Sequence, residues 1–195
     1  SYITDSRPGD SSSGRFLLSG GQMHALMPKM ETETDACAAF DAAVADDPRF
    51  TNVYSECWGV YHTRSPFEQT KERARIDRVL IPSPELRQAG WLHGPIGVEI
   101  KAPDSRIGPP VAQAIDYLRA SFEVIPGFHV PLGWISLFPF ERVTGDLESI
   151  MVQHRIGTTV IGIDGQLQFR RGAARIVSID EPGRNVITAR KVGSR

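Results

Sequence analysis

Gly94-Pro95-Ile96-Gly97-Val98-Glu99-Ile100-Lys101 is the stretch around which the chain is organised. It begins with turn-forming residues and continues as a short β-rich run, which predicts a strand. Because side chains alternate along a strand, Glu99 and Lys101 point to one face, and Val98 and Ile100 point to the other. A carboxylate and an ammonium group on one side of an otherwise apolar strand are hard to explain as core, so they indicate a functional site.

A second predicted strand, residues 74–81, carries a lone carboxylate, Asp77. If it pairs with the Glu99 strand, Asp77 and Glu99 lie side by side with Lys101 next to them. Each acid taken singly is typical of a surface salt bridge on a strand. The two acids and the lysine together favour a site.

Asp77 followed by Glu99-Ile100-Lys101 resembles the metal-binding Asp and the Glu-x-Lys motif of the PD-(D/E)XK nuclease superfamily. Gln113 and Tyr117, on the next predicted helix, are similar to the Gln-xxx-Tyr pattern of its RecB-type branch. The resemblance covers roughly residues 55–140. It implies an α/β fold with a restriction-endonuclease-like core, ordered αβββαβ, in which helices flank a mixed central sheet. A C-terminal β-rich appendage is expected to follow this core.

The resemblance also implies metal-dependent phosphodiester hydrolysis. Asp77, Glu99 and the main-chain carbonyl of Ile100 would bind Mg²⁺, for which Mn²⁺ can substitute. Carboxylate and carbonyl oxygens are the ligands that this hard cation prefers. Lys101 would orient or deprotonate the attacking water and counter the negative charge on the phosphate.

Further residues around this centre are expected to support it. Gln113 would hydrogen-bond the attacking water or support Lys101, and Tyr117 would contact a phosphate. A basic group surrounds Asp77 in the sequence, namely Lys71, Arg73, Arg75 and Arg78. Arg75 and Arg78 are therefore predicted to bind substrate, and the alternative is ordinary solvated charge.

An additional acid often completes such a site, and Glu56 on the predicted strand 51–62 is the candidate. Acids of the first predicted helix, such as Asp35 or Asp41, are the alternative. The aromatic residues near Glu56, Trp58 and Tyr61, are interpreted as core, as are Phe138 and Phe140.

The 195 residues predict one domain with appendages. Residues 1–30 are expected to form a flexible or weakly structured arm, residues 31–145 the nuclease-like core, and residues 146–195 a β-hairpin extension of the same domain. Ordinary composition, two cysteines and the lack of a long apolar run or signal peptide predict a cytoplasmic protein with no membrane segment.

The periodicity of the sequence also predicts most of the remaining elements. Helices are expected at 34–45, within 82–91, at 111–123 and at 147–155; strands at 51–62, 133–140, 176–179 and 186–189; and a hairpin at 160–169 around Asp164-Gly165.

The sequence favours a Mg²⁺-dependent endonuclease that acts on DNA, with RNA as the less favoured substrate. The net charge of −1 and the lack of a recognisable DNA-reading motif favour dependence on a homodimer or a larger complex. The alternative from another class is a catalytically silent or partner-dependent module that binds nucleic acid or serves assembly. Scattered histidines and the absence of a Walker loop or nucleophile elbow argue against a zinc enzyme, an NTPase or a serine hydrolase.

Overall fold

The structure is a computed structural model and describes residues 30–62, 71–141, 143, 145–172 and 174–179. The helices in these parts are α1 (Glu33–Val44), α2 (Pro84–Gln88), α3 (Gly108–Tyr117) and α4 (Asp146–Gln153). The strands are β1 (Phe50–His62), β2 (Lys71–Pro82), β3 (Ile96–Ile100), β4 (Ser121–Ile125), β5 (Phe128–Pro131), β6 (Trp134–Phe138), β7 (Ile156–Ile161), β8 (Leu167–Arg171) and β9 (Ala174–Ile176). None of the helices in the described ranges has both the length and the apolar character needed to cross a membrane.

All nine strands form one mixed sheet in the order β5-β4-β1-β2-β3-β6-β7-β8-β9. The pairs β3–β6 and β6–β7 are parallel, and every other neighbouring pair is antiparallel. The predicted α/β class with a mixed sheet between helices is therefore confirmed. The sheet is larger than the core that the resemblance implies, because β4 and β5 extend it at one edge and β7, β8 and β9 extend it at the other.

Strand β3 lies inside the sheet, and all five of its residues are buried. Helix α1 covers one face through Ala36, Phe40 and Val44, which share a core cluster with Ile100 and Phe138. Helix α3 covers the other face through Val111, Ala114 and Tyr117, in a cluster with Ile135 and Leu137. A strand between two helical layers reads as a continuous apolar run, so the carboxylate of Glu99 is carried into the interior.

The predicted helix 111–123 is wrong at its C-terminal end. Helix α3 ends at Tyr117, and Phe122 lies in β4 with its ring over Gly59 of β1. Tertiary packing against β1 overrides the helical spacing of Phe122. The Pro126-Gly127 dipeptide, which connects β4 to β5, was the available signal for a hairpin.

Most other predicted elements are confirmed with small shifts. Thr32 caps α1 in a capping box with Asp35, and Ser83 caps α2. The β7–β8 hairpin turns at Asp164-Gly165, where Gly165 has a φ of 76°. The strand predicted at 176–179 instead ends at Ile176, and the arm up to residue 29 and the strand at 186–189 lie outside the described residues.

The aromatic core predictions are correct only in part. Phe138 is fully buried, whereas Tyr61 and Phe140 are half-buried. Trp58 is wrong as a core residue, because its exposed fraction is 55 %. It lies where β1 pairs with β2 and β4, on a part of the sheet surface that the described residues leave open.

Gly59 allows β1 and β4 to approach with Phe122 packed between them. A Cβ atom there would lie 2.7 Å from the Phe122 ring, which fills a tight site. Gly59→Ala is expected to lower the free energy of unfolding by about 1–3 kcal/mol, measured by urea denaturation. Gly108→Ala is the matched control, because its Cβ would meet no atom within 4 Å. Equal stability of the two variants would contradict the assigned packing.

Candidate functional site

The candidate site lies where main-chain pairing between β2 and β3 ends. The antiparallel register runs from Leu80↔Ile96 to Arg78↔Val98. One residue further along β2, the Asp77 side chain replaces the main-chain pairing. The N–H of Ile100 donates a hydrogen bond to Asp77 Oδ2 at 2.7 Å. Asp77 is thereby fixed against the end of β3, beside Glu99.

The structure places most of the predicted site residues around one cavity of about 280 Å³. The predicted residues that line it are Asp77, Glu99, Lys101, Gln113, Tyr117 and Arg75. The polar residues that line it without having been predicted as site residues are Glu33, Tyr61, Arg73 and Asp116. Elements α1, β1, β2, β3 and α3 all contribute to this cavity, so only the tertiary fold assembles it.

Glu99 is the most buried acid of this cavity, with an exposed fraction of 2 %. Its Oε1 atom lies 2.6 Å from Lys101 Nζ, while its Oε2 atom is buried and receives no well-aligned hydrogen bond from the described residues. The Tyr117 hydroxyl also lies close to Glu99 and works against its raised pKa, but it donates its proton to the Arg75 carbonyl. Burial and the negative charge of Asp77 raise the pKa of Glu99 to about 7, although the bond to Lys101 opposes this shift. Near neutral pH, Glu99 therefore lies close to its titration midpoint.

The pKa values of the two neighbouring charged groups, Asp77 and Lys101, are shifted by the same buried environment. Burial raises the pKa of Asp77, against the opposing effect of the Ile100 N–H. Burial lowers the pKa of Lys101, but its hydrogen bond and charge interaction with Glu99 outweigh this, so the net shift is upward. Lys101 is accordingly an ammonium group at neutral pH.

Gln113 and Tyr117 stand one turn apart on α3, and they tie this helix to β2. The amide nitrogen of Gln113 donates to the Tyr117 hydroxyl, which donates to the main-chain carbonyl of Arg75 at 2.5 Å. The Tyr117 ring packs edge-on against Phe122 at 5.6 Å. Burial and the charges of Glu99 and Asp77 raise the pKa of Tyr117, so it stays a neutral phenol.

Arg78 does not reach the cavity, which corrects its prediction as a substrate-binding residue. Its Nε and Nη2 atoms each lie 2.7 Å from a carboxylate oxygen of Asp41 on α1. Neighbouring residues of a strand point to opposite faces, so Arg78 leaves β2 on the side away from Asp77. This buried side chain is used to hold α1 on the sheet.

Glu56 does not line the cavity either, which corrects its prediction as the additional acid. It is exposed, has a φ of 49°, and lies 3.7 Å from Arg75 Nη1. The alternative acids are also occupied elsewhere, because Asp41 binds Arg78 and Asp35 caps α1 through Thr32.

The acid from α1 that does line the cavity is Glu33. It lies in the first turn of the helix, and its charge contributes to the raised pKa of Asp77. The sequence signal was present, because Glu33 directly precedes the predicted start of this helix. On α3, Asp116 was likewise missed beside Tyr117.

The donor atoms of the cavity fit a hard divalent cation only in part. Among the described residues, no group of three or more His, Cys, Asp or Glu side chains is close enough to hold a metal. Two neighbouring carboxylates with raised pKa values, and the Oε2 of Glu99 without a well-aligned hydrogen bond, do suit a cation. Mg²⁺ commonly uses one or two protein carboxylates and retains several waters, so a cation held by these two carboxylates would take its remaining ligands from water or substrate.

No protein-family model, curated protein or solved structure matches this chain.

Proposed function

We propose that the chain is a metal-dependent nuclease of the PD-(D/E)XK type, and that it is most consistent with a DNA endonuclease. The observation that carries this proposal is Glu99, a buried carboxylate beside Asp77 with one oxygen on Lys101 and the other without a well-aligned hydrogen bond, near the Tyr117 hydroxyl. Burying such a group is costly unless it binds something, and buried groups with shifted pKa values concentrate at functional sites. The element order α1, β1, β2, β3, α3, β6 is compatible with the order that the resemblance implies, with α2 inserted before β3 and the β4–β5 hairpin inserted before β6.

Asp77, Glu99 and the carbonyl of Ile100 would hold Mg²⁺ or Mn²⁺. Such a cation polarises a phosphate oxygen and makes a bound water more acidic. The protein's own part is to hold the Lys101 ammonium in the same cavity, where it favours negative charge at a phosphate. Because the pKa of Lys101 is raised, its charge suits orientation and stabilisation better than proton abstraction.

The remaining polar residues have supporting roles. Arg75 lines the cavity with its side chain half exposed, so it can contact a substrate phosphate. Gln113 and Tyr117 fix α3 against β2, which keeps the walls of the cavity in place. Because the Tyr117 hydroxyl donates to the Arg75 carbonyl, Tyr117 is better explained as a residue that positions the cavity walls than as one that binds a phosphate directly.

A catalytically silent module that binds nucleic acid is the second candidate. It is favoured by the lack of a third clustered ligand among the described residues. RNA as substrate, and action as a homodimer or within a larger complex, are variants of the first proposal.

The test is cleavage of supercoiled plasmid, linear duplex, single-stranded DNA and RNA with Mg²⁺, Mn²⁺ or a chelator. We expect metal-dependent cleavage that Asp77→Asn reduces by about 10³-fold. Glu85→Gln, which alters an exposed acid of α2 outside the cavity, is the matched control and should cleave like the parent. A folded chain that cleaves none of these substrates and shows no metal binding by calorimetry would contradict the nuclease proposal.

A further inference from the structure

Trp58 is exposed in a way that the rest of the fold does not explain. It has an exposed fraction of 55 %, whereas Trp91 and Trp134, the other tryptophans of the chain, are exposed by 1 % and 0 %. The indole projects from a strand in the interior of the sheet, where β1 pairs with β2 and β4. One exposed apolar side chain is unremarkable by itself, so its neighbours decide what it means.

The neighbour of Trp58 across β2 is Arg75, which also lines the candidate cavity. Residues directly opposite in an antiparallel pair share a face, with Cβ atoms about 4.5–5.5 Å apart. The Arg75 side chain is 48 % exposed, and its contact with the exposed Glu56 is a long one of 3.7 Å. Such a surface pair is weak, so Arg75 remains available to an anion. Arg73, two residues earlier on β2, is exposed and lines the same cavity.

The neighbour on the other side, Glu123 of β4, is directed towards a turn. Its Oε1 accepts the N–H of Gly127 at 2.7 Å. Beyond it, the β4–β5 hairpin exposes two more apolar side chains, Ile125 and Phe128. The exposed indole of Trp58 thus lies beside Arg75, which lines the cavity together with Arg73.

We propose that Trp58 is a stacking platform for an unpaired nucleobase, and that the chain takes single-stranded nucleic acid; this rests on the proposed function. The flat indole offers its face to a base while Arg75 and Arg73 contact the adjoining phosphates, which leads the strand towards Asp77 and Glu99. In a duplex the faces of the bases are already covered by their neighbours. Base stacking on an aromatic side chain therefore selects single strands with little regard to sequence.

The test is binding in the presence of a chelator, so that cleavage does not interfere. The probes are a single-stranded oligothymidylate of about 12 nucleotides, a duplex, and an abasic strand of the same length and charge. Trp58→Leu is expected to weaken oligothymidylate binding by about 5-fold to 100-fold and to leave abasic-strand binding unchanged. Trp58→Phe should retain most of the affinity. Leu92→Ala, which alters another exposed apolar side chain outside this surface, is the matched control and should bind like the parent.

Fluorescence gives a second readout because Trp91 and Trp134 are buried. Oligothymidylate should quench the parent, whereas Trp58→Phe should bind it with little quenching. Unchanged affinity of Trp58→Leu, or an equal loss on the abasic strand, would overturn the proposal. So would self-association that Trp58→Leu abolishes without changing nucleic-acid binding.

The outcome also separates this inference from the nuclease proposal. Base-dependent quenching without cleavage of any substrate would retain the stacking surface and leave a binding module. Metal-dependent cleavage with no dependence of single-strand binding on Trp58 would retain the nuclease and remove the surface.

Discussion

Lys101→Met is expected to reduce metal-dependent cleavage by about 10²–10⁴-fold. The substitution keeps the apolar stem of the side chain but removes the ammonium group that lies 2.6 Å from Glu99. The cavity would then lack this half-buried positive charge at the point where a phosphate gains negative charge. Single-turnover cleavage measures this effect, and binding of the substrate to the chelated protein should change little.

Lys101→Arg distinguishes charge from proton transfer. Because the raised pKa of Lys101 favours an ammonium role, arginine should restore a substantial part of the activity that methionine loses. The methionine variant also leaves Glu99 without its partner, so its folding must be checked. Glu99→Gln combined with Lys101→Met should recover stability but not cleavage. Full activity of Lys101→Met would exclude the proposed role of this residue.

Glu99→Gln is expected to stabilise the chain at pH 8 without divalent cations, by about 3 kcal/mol. The folded chain retains the Glu99 proton until about pH 7, whereas an ordinary glutamate releases it near 4.5. Unfolding between these values releases a proton, so the stability of the parent falls as pH rises through this window. Glutamine resembles the protonated acid and has no such loss, so the gain should be present above pH 7 and absent below about pH 4.5.

Urea denaturation at several pH values measures this difference. The variant still contains Asp77, whose pKa is also raised, so some of the pH dependence should persist. Mg²⁺ should stabilise the parent at pH 8 and stabilise Glu99→Gln much less, because a cation that binds the folded state favours it. Identical pH profiles for the parent and the variant would contradict the buried environment assigned to Glu99.

Strand alternation was sufficient to predict the centre of the candidate site. The acids of two neighbouring strands and the lysine two residues on from one of them lie around one cavity, as the sequence indicated. Arg78 was predicted from its closeness to Asp77 in the sequence and Glu56 as the additional acid, and neither residue lines the cavity. Closeness in the sequence does not determine which face of a strand a side chain occupies, because neighbouring residues point to opposite faces. The Arg78 side chain binds Asp41 of α1, and Glu56 has a positive φ and lies outside the cavity.

The elements that neighbouring residues specify could also be predicted from the sequence. The cap of α1 at Thr32 and the turn at Gly165 depend on neighbours in the sequence, so local residues specify them. The β4–β5 hairpin was missed because its place is decided by Phe122 packing on Gly59, a residue more than sixty positions away. The exposure of Trp58 could not be predicted for the same reason. Whether an aromatic residue of a strand is covered depends on distant elements that pack on that face, and its neighbours in the sequence do not indicate this.

The mixed α/β class, most of the strands and helices, and the set formed by Asp77, Glu99 and Lys101 could all be predicted from the amino-acid sequence alone. Hydrophobic periodicity and turn-forming residues act over a few positions, so they can be recognised in the sequence without knowledge of the fold. Three features became visible only in the folded chain: Glu99 is buried, Glu33 lines the cavity, and Trp58 remains in contact with solvent. Burial and the pKa shifts that follow from it depend on which distant elements pack together, and no short stretch of this chain encodes that packing.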